Sequence, residues 1–241
     1  SKVRNGQKGG FPKFKDKKHF RSFTLKQNGW KLDGNYLYIR NVGKFKMKLS
    51  RPIEGTVKTI TIKKDLTGKW YACFSCENVH HKFLPENGKE VGIDVGCEKF
   101  LTTSDGKVIE NPRFLKKAER LLAFRQQRLS RRKKGSKRRE KARILVAKAY
   151  EKLANQRRDF HFKVANMLLK EYEIIYIEDL KRKNWKTYRA LNKSMNDVAW
   201  IQFFDILTFK AEEMGRKVIK VPPENTSQIC SSVSYTHLTL P

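Results

Sequence analysis

The chain has 241 residues, with 54 Lys or Arg against 24 Asp or Glu, a formal net charge of +30, yet its 39% hydrophobic and 11% aromatic content can build a core, which excludes a mere basic tail. No run of 18 apolar residues exists to span a membrane, and no segment resembles a secretory signal. Four cysteines (Cys73, Cys76, Cys97, Cys230) are too few for a disulfide scaffold at this length, so a reducing cytoplasm is the expected compartment.

Such a charge opposes compaction unless a polyanion neutralises it, which makes nucleic acid the expected partner. An anionic membrane is the weaker candidate, because no basic amphipathic segment carries an aromatic face. Residues 1–19 (SKVRNGQKGGFPKFKDKKH) are basic and aperiodic, an irregular lead-in. With no initial Met they read as a fragment that starts mid-protein.

Residues 20–88 predict a small antiparallel β-barrel that binds nucleic acid. Phe20–Lys26, Tyr36–Asn41, Lys44–Ser50, Thr56–Lys64 and Lys69–Glu77 are short runs rich in β-branched and aromatic residues, separated by Asp33-Gly34, Gly43, Pro52 and Thr67-Gly68. In Lys44-Phe45-Lys46-Met47-Lys48-Leu49 the alternation gives one apolar and one strongly basic face. That face suits a nucleic-acid backbone, or is kept basic for solubility.

Pro85-Glu86-Asn87-Gly88 is the expected boundary, and residues 89–223 predict a mixed α/β domain. Val91–Gly96 is a strand holding one acid, Asp94. Lys99–Thr103 and Lys107–Glu110 form a hairpin through Ser104-Asp105-Gly106. Residues 113–171 predict two helices, with Leu115, Leu121, Leu122 and Leu129 as the first apolar stripe. Ile144, Leu145, Ala149, Leu153, Phe160, Val164 and Leu168 are the second. Between them Arg131, Arg132, Lys133, Lys134, Lys137, Arg138 and Arg139 surround Gly135, a poor helix interior and a good phosphate contact, or else a frayed solvated turn. Glu173–Leu180 is an apolar strand ending in acids, and Lys181–Met195 is basic and irregular. Asn196–Met214 is a helix stopped by Gly215, and Lys217–Val221 is a strand ended by Pro222-Pro223.

Asp94 interrupts an apolar strand, so it is expected to be desolvated, paired or metal-bound. Glu178 closes another strand, where α/β sheets place ligands. If the strands are neighbours, the two carboxylates can share a site whose hard oxygens suit Mg²⁺ and phosphodiester chemistry. The alternative is two ordinary salt-bridged acids. Asp179 competes with Glu178 but points to the other face. Asp197 and Asp205 read as solvated helix acids. Cys73 and Cys76 are three apart on a strand, so they face opposite sides and do not read as metal ligands.

Gly92-Ile93-Asp94-Val95-Gly96, the basic helical pair, Ile177-Glu178-Asp179-Leu180 and Asn225-Thr226-Ser227-Gln228-Ile229-Cys230-Ser231 resemble, in order and spacing, the OrfB/TnpB family of insertion-sequence transposases, relatives of type V CRISPR effectors. Phe11-Pro12-Lys13-Phe14-Lys15 and Gly68-Lys69-Trp70-Tyr71 resemble it too. The resemblance implies an RNase H-like RuvC nuclease domain after a β-barrel wedge domain. It implies an RNA-guided, Mg²⁺-dependent DNA endonuclease of a mobile element, with DNA and guide RNA as partners. Asp94 and Glu178 would be the first two RuvC carboxylates, ligating Mg²⁺. The family's zinc ribbon would start at 224–232, but Val233 stands where a second Cys belongs, leaving Cys230 as an orphan Zn²⁺ ligand. Residues 233–241 read as a translated sequencing adapter, with native sequence ending near Ser231–Ser232. The third carboxylate and the zinc module are then missing, and the chain is expected to bind nucleic acid and cut weakly or not at all. A non-catalytic RNA- or DNA-binding protein is the alternative, and hydrolysis is not separable from strand transfer by sequence.

Overall fold

The computed structural model describes residues 20–179 and 198–222, and the chain divides at His80–His81 into two units. The readings of residues 1–19, 181–195, 223–232 and 233–241, of Asp197 and Cys230, and of the helix start at Asn196 lie outside the described residues.

The first unit is all β. Its strands are β1 (Ser22–Leu25), β2 (Trp30–Asp33), β3 (Tyr36–Ile39), β4 (Gly43–Lys46), β5 (Thr56–Lys64) and β6 (Trp70–Glu77). They form two three-stranded antiparallel sheets, β1-β5-β6 and β2-β3-β4, rather than the single expected barrel. Period-two alternation explains the pairing of faces: Leu37, Ile39 and Ile60 are buried, and Leu25, Trp30, Leu32, Met47, Ile62 and Phe74 pack on them. β2 was not among the expected strands, although Gly34, with φ +52°, makes the turn after it. β4 stops at Lys46, and Phe45 is exposed instead of lining the core.

The second unit begins earlier than the turn cluster suggested. Leu84 N–H donates to Met214 O at 3.0 Å, and Arg216 Nη2 donates to Pro85 O at 2.9 Å. The Asn87 and Gly88 amides both donate to the Glu173 carboxylate at 2.8 Å. Residues 81–88 are therefore part of the α/β unit, not of the β unit. The two amides hold the Glu173 carboxyl below the usual carboxylate range.

Strands β7 (Glu90–Val95), β8 (Lys99–Thr103), β9 (Val108–Glu110), β10 (Ile174–Glu178) and β11 (Lys217–Val221) make one sheet in the order β11-β10-β7-β8-β9. β10 runs parallel to both β7 and β11, while β8 and β9 are antiparallel. Helices α1 (Phe114–Ser130), α2 (Lys137–Glu171) and α3 (Trp200–Met214) supply the long crossovers that parallel strands need. Val91, Ile93, Leu101, Ile175 and Ile177 pack on one sheet face against Val164, Leu168 and Leu169 of α2 and Phe203 and Leu207 of α3. A register shift between Lys99 and Leu101 lets Phe100 turn inward as well, edge-on to Phe160 and Phe203.

Local signals set the helix limits. Ser136 Oγ accepts from the Arg139 amide at 3.1 Å, an N-cap for α2. Gly215, with φ +70°, ends α3 as expected. At the end of α2, Tyr172 OH donates to Asp105 and Lys107 Nζ donates to Glu171, locking the β8–β9 turn to the helix. Hydrogen bonds from Thr103 and Tyr172, with Lys107 beside them, hold the Asp105 carboxyl well below its usual range. No described helix is long and apolar enough to cross a membrane.

Candidate functional site

On β7, Val91 and Ile93 are buried under the helices, so Gly92 and Asp94 fall on the opposite face. On β10, Ile175 and Ile177 are buried, which turns Tyr176 and Glu178 to that same opposite face. The strands run parallel with Tyr176 beside Gly92 and Ile177 beside Ile93. Asp94 and Glu178 are the next residue on each strand. They lie side by side one residue past the last paired position of the ladder, at the carboxyl ends where open α/β sheets bind ligands.

The surroundings differ from the expectation in one respect. Asp94 is exposed rather than desolvated, because only one face of its strand is covered by helices among the described residues. Thr102 stands across from it on β8, and Val221 stands beside Glu178 on β11. Glu178 is half-buried. The Asp179 N–H donates to Val221 O at 2.9 Å, extending the ladder and turning its side chain away from Glu178. Asp205 is exposed on α3, the solvated acid that was expected.

Two carboxylates on adjacent strands offer hard oxygen donors to a divalent cation, a donor set that suits Mg²⁺. No group of three His, Cys, Asp or Glu side chains able to hold a metal exists among the described residues. Tyr176, on the same face, donates its hydroxyl to the Glu90 carboxylate at 3.0 Å. Sequence reasoning missed this pair, although the two-residue spacing of Glu90, Gly92 and Asp94 marks its face. Cys73 is exposed and Cys76 half-buried on alternate sides of β6, as the strand spacing required. Burial pushes the Cys97 thiol up, away from reactive thiolate character.

The basic cluster spans the α1–α2 turn (Arg131, Arg132, Lys133, Lys134) and the first turn of α2 (Lys137, Arg138, Arg139), away from this pair in sequence. Arg131, Lys133, Lys134, Lys137 and Arg138 are exposed, whereas Arg132 and Arg139 are half-buried. Arg139 has a local role, since its Nη1 donates to Leu129 O at 2.9 Å and to Arg132 O at 2.7 Å. It fastens the end of α1 to the start of α2, so the exposed five are the better candidates for phosphate contact.

Residues 73–189 match the OrfB_IS605 family profile, described as "Probable transposase", and residues 200–239 match the Cas12f1-like TNB domain. The chain is 31% identical to InsQ of Escherichia coli strain K12, whose name describes an RNA-guided DNA endonuclease, over 95% of this chain and 61% of that protein. It is 30% identical to a Streptomyces pristinaespiralis protein named in the same way, over 88% of this chain and 53% of that one. The chain thus spans somewhat over half the length of these relatives. Its fold is like that of a solved Cas12f1–sgRNA–target DNA complex, with a TM-score of 0.58 at 16% identity, covering 98% of this chain and 61% of that one.

Proposed function

We propose, since the chain belongs to the OrfB/TnpB family of insertion-sequence transposases, that it carries the catalytic part of an RNA-guided DNA endonuclease with a RuvC-type carboxylate site. The observation that carries this reading is the adjacency of Asp94 and Glu178 on neighbouring parallel strands of one open face. The strand order β11-β10-β7-β8-β9 supports an RNase H-like sheet, with the β unit before it as the wedge. The partners are DNA and a guide RNA, encountered in the cytoplasm.

Asp94 and Glu178 would hold Mg²⁺, which when bound stabilises charge on the attacking and leaving oxygens of a phosphodiester. Their position at strand ends fixes both carboxylates on a rigid sheet, so neither must reorganise to share a ligand. Asp94, the more exposed, presents its oxygens to the incoming strand. The exposed cations of the α1–α2 hairpin would hold the backbone by charge, leaving sequence recognition to base pairing. The resemblance puts the family's third carboxylate beyond residue 231, outside the described residues. Cys230 would belong to the family's Zn²⁺ ribbon.

The test compares the chain with Asp94→Ala and Glu178→Ala. Binding of RNA and DNA is expected to stay within about twofold, because neither acid contacts phosphate favourably without a cation. Mn²⁺ binding followed by electron paramagnetic resonance, and any Mg²⁺-dependent cleavage, should be lost in both. Cleavage or Mn²⁺ binding that survives Asp94→Ala overturns the site. Non-catalytic binding of RNA or DNA is the second reading, favoured by the exposed cations of the α1–α2 hairpin, which serve it without any metal site.

A further inference from the structure

The sheet β2-β3-β4 has a second face that the core does not use. Leu37 and Ile39 point inward and are buried, so Tyr36 and Tyr38 alternate outward, 39% and 50% exposed. The register sets Asp33 and Lys46 on either side of Tyr36, and Lys31 and Lys44 on either side of Tyr38. Directly opposed residues share a face. The outer surface is thus two tyrosine rings in line, three lysines around them and one carboxylate. Lys44 Nζ lies 4.3 Å over the Tyr36 ring.

We infer that this face binds unpaired RNA, with bases stacked on Tyr36 and Tyr38 and the lysines on the phosphates, an inference that rests on the nucleic-acid function proposed for the chain. Residues two apart on a strand are about 6.7 Å apart, roughly twice the 3.4 Å rise between stacked bases along a strand. Two rings so spaced accept separate bases of an extended strand, whereas a duplex hides its base faces. A base that takes the place of Lys44 on Tyr36 releases the ammonium to a neighbouring phosphate, so stacking and ion pairing form together. Three lysines against one acid match a polyanion in sign. Asp33, beside Tyr36, is an acceptor without a use for phosphate, and it suits the 2′-hydroxyl donor that DNA lacks. If the cross-strand Tyr–Lys pairs served sheet stability alone, loss of the rings would leave RNA binding unchanged, and the experiment reads this directly.

The whole chain is titrated by fluorescence anisotropy with a labelled unstructured RNA octamer, the DNA octamer of the same sequence, and the RNA duplex. Tyr36→Thr/Tyr38→Thr keeps good strand formers and removes the rings; Tyr36→Phe/Tyr38→Phe keeps the rings. The Thr variant should lose about tenfold or more for the RNA octamer with little change for the duplex, and the Phe variant should bind like the parent. The parent should favour the RNA octamer over DNA, and Asp33→Ala should narrow that gap. Equal losses for octamer and duplex, no loss at all, or equal binding of RNA and DNA octamers overturns the inference. Melting temperatures of both variants show whether the unit still folds. Ring-dependent RNA binding in a chain whose Asp94 is dispensable sinks only the nuclease reading. Ring-independent binding in a chain with an Asp94-dependent Mn²⁺ site sinks only this one.

Discussion

His161 on α2 is 1% exposed and lies among Phe100, Phe160 and Phe203. Its Nε2 is 3.0 Å from Val198 O, a carbonyl that can only accept, so Nε2 carries the proton. Nδ1 has no hydrogen-bond partner among the described residues. Burial pushes its pKa down from 6.5 to about 4, with the nearby Arg157 acting in the same direction against the Val198 hydrogen bond. Above pH 6.5 the ring is neutral folded or unfolded and contributes no pH dependence. As pH falls from 6.5 to about 4 the unfolded chain takes up the proton first, so stability declines across that window and levels off below it. The total is at most about 3 kcal/mol. Urea unfolding at pH 7 and pH 4.5 should show the decline, and His161→Gln should flatten this part of it. The stripe read from sequence included Phe160 and Val164 but not His161, because helical periodicity alone does not separate a buried imidazole from a surface one.

The α1–α2 hairpin shows how one charge run divides into two jobs. Arg139 joins two helix ends by donating to the Leu129 and Arg132 carbonyls, while Arg138 beside it is exposed. Arg139→Ala should therefore cost about 1–2 kcal/mol of stability, read as a lowered melting temperature. Arg138→Ala should leave melting unchanged and reduce the slope of log affinity against log salt by about 0.9 if it meets one phosphate. The break at Gly135 was legible in the residues and stands where expected, whereas Lys137, Arg138 and Arg139 of the run open α2 instead of lying between the helices. Which arginine turns back onto carbonyls was not legible, since that depends on the three-dimensional closure of the hairpin. The same limit affects the stripes. Leu122 is buried but adjacent Leu121 is 47% exposed, and Leu145 of α2 and Phe209 of α3 are exposed too. A helix face about 100° wide cannot bury every apolar residue assigned to it.

For the whole molecule, a net charge of +30 predicts that binding to RNA or DNA weakens by about a thousandfold between 50 and 200 mM salt, provided six or more phosphates are engaged. Filter binding across that range checks it, and a flat profile would mean that charge plays little part. Strands β8 and β11 were legible to the residue, because short apolar runs bounded by turn signals leave little freedom. The pairing of β7 with β10 was legible only as a condition, because 78 residues separate Val95 from Ile174 and parallel order is set by how the helices pack. β2 escaped because four residues carry too short an alternation. The boundary shifted to His80–His81 because Glu173 and Arg216 reach back to hold residues 85–88, partners no local pattern shows.

Helix α2, 35 residues long, extends about 52 Å. Its carboxyl-terminal half is rooted beneath the sheet, and the cations sit at its far tip. The arm works as an outrigger, longer than a full turn of duplex. A rotation of a few degrees at its root carries the tip through about 2 Å, so slight repacking around Leu168 and Phe203 shifts the cations that the proposed function sets against a phosphate backbone.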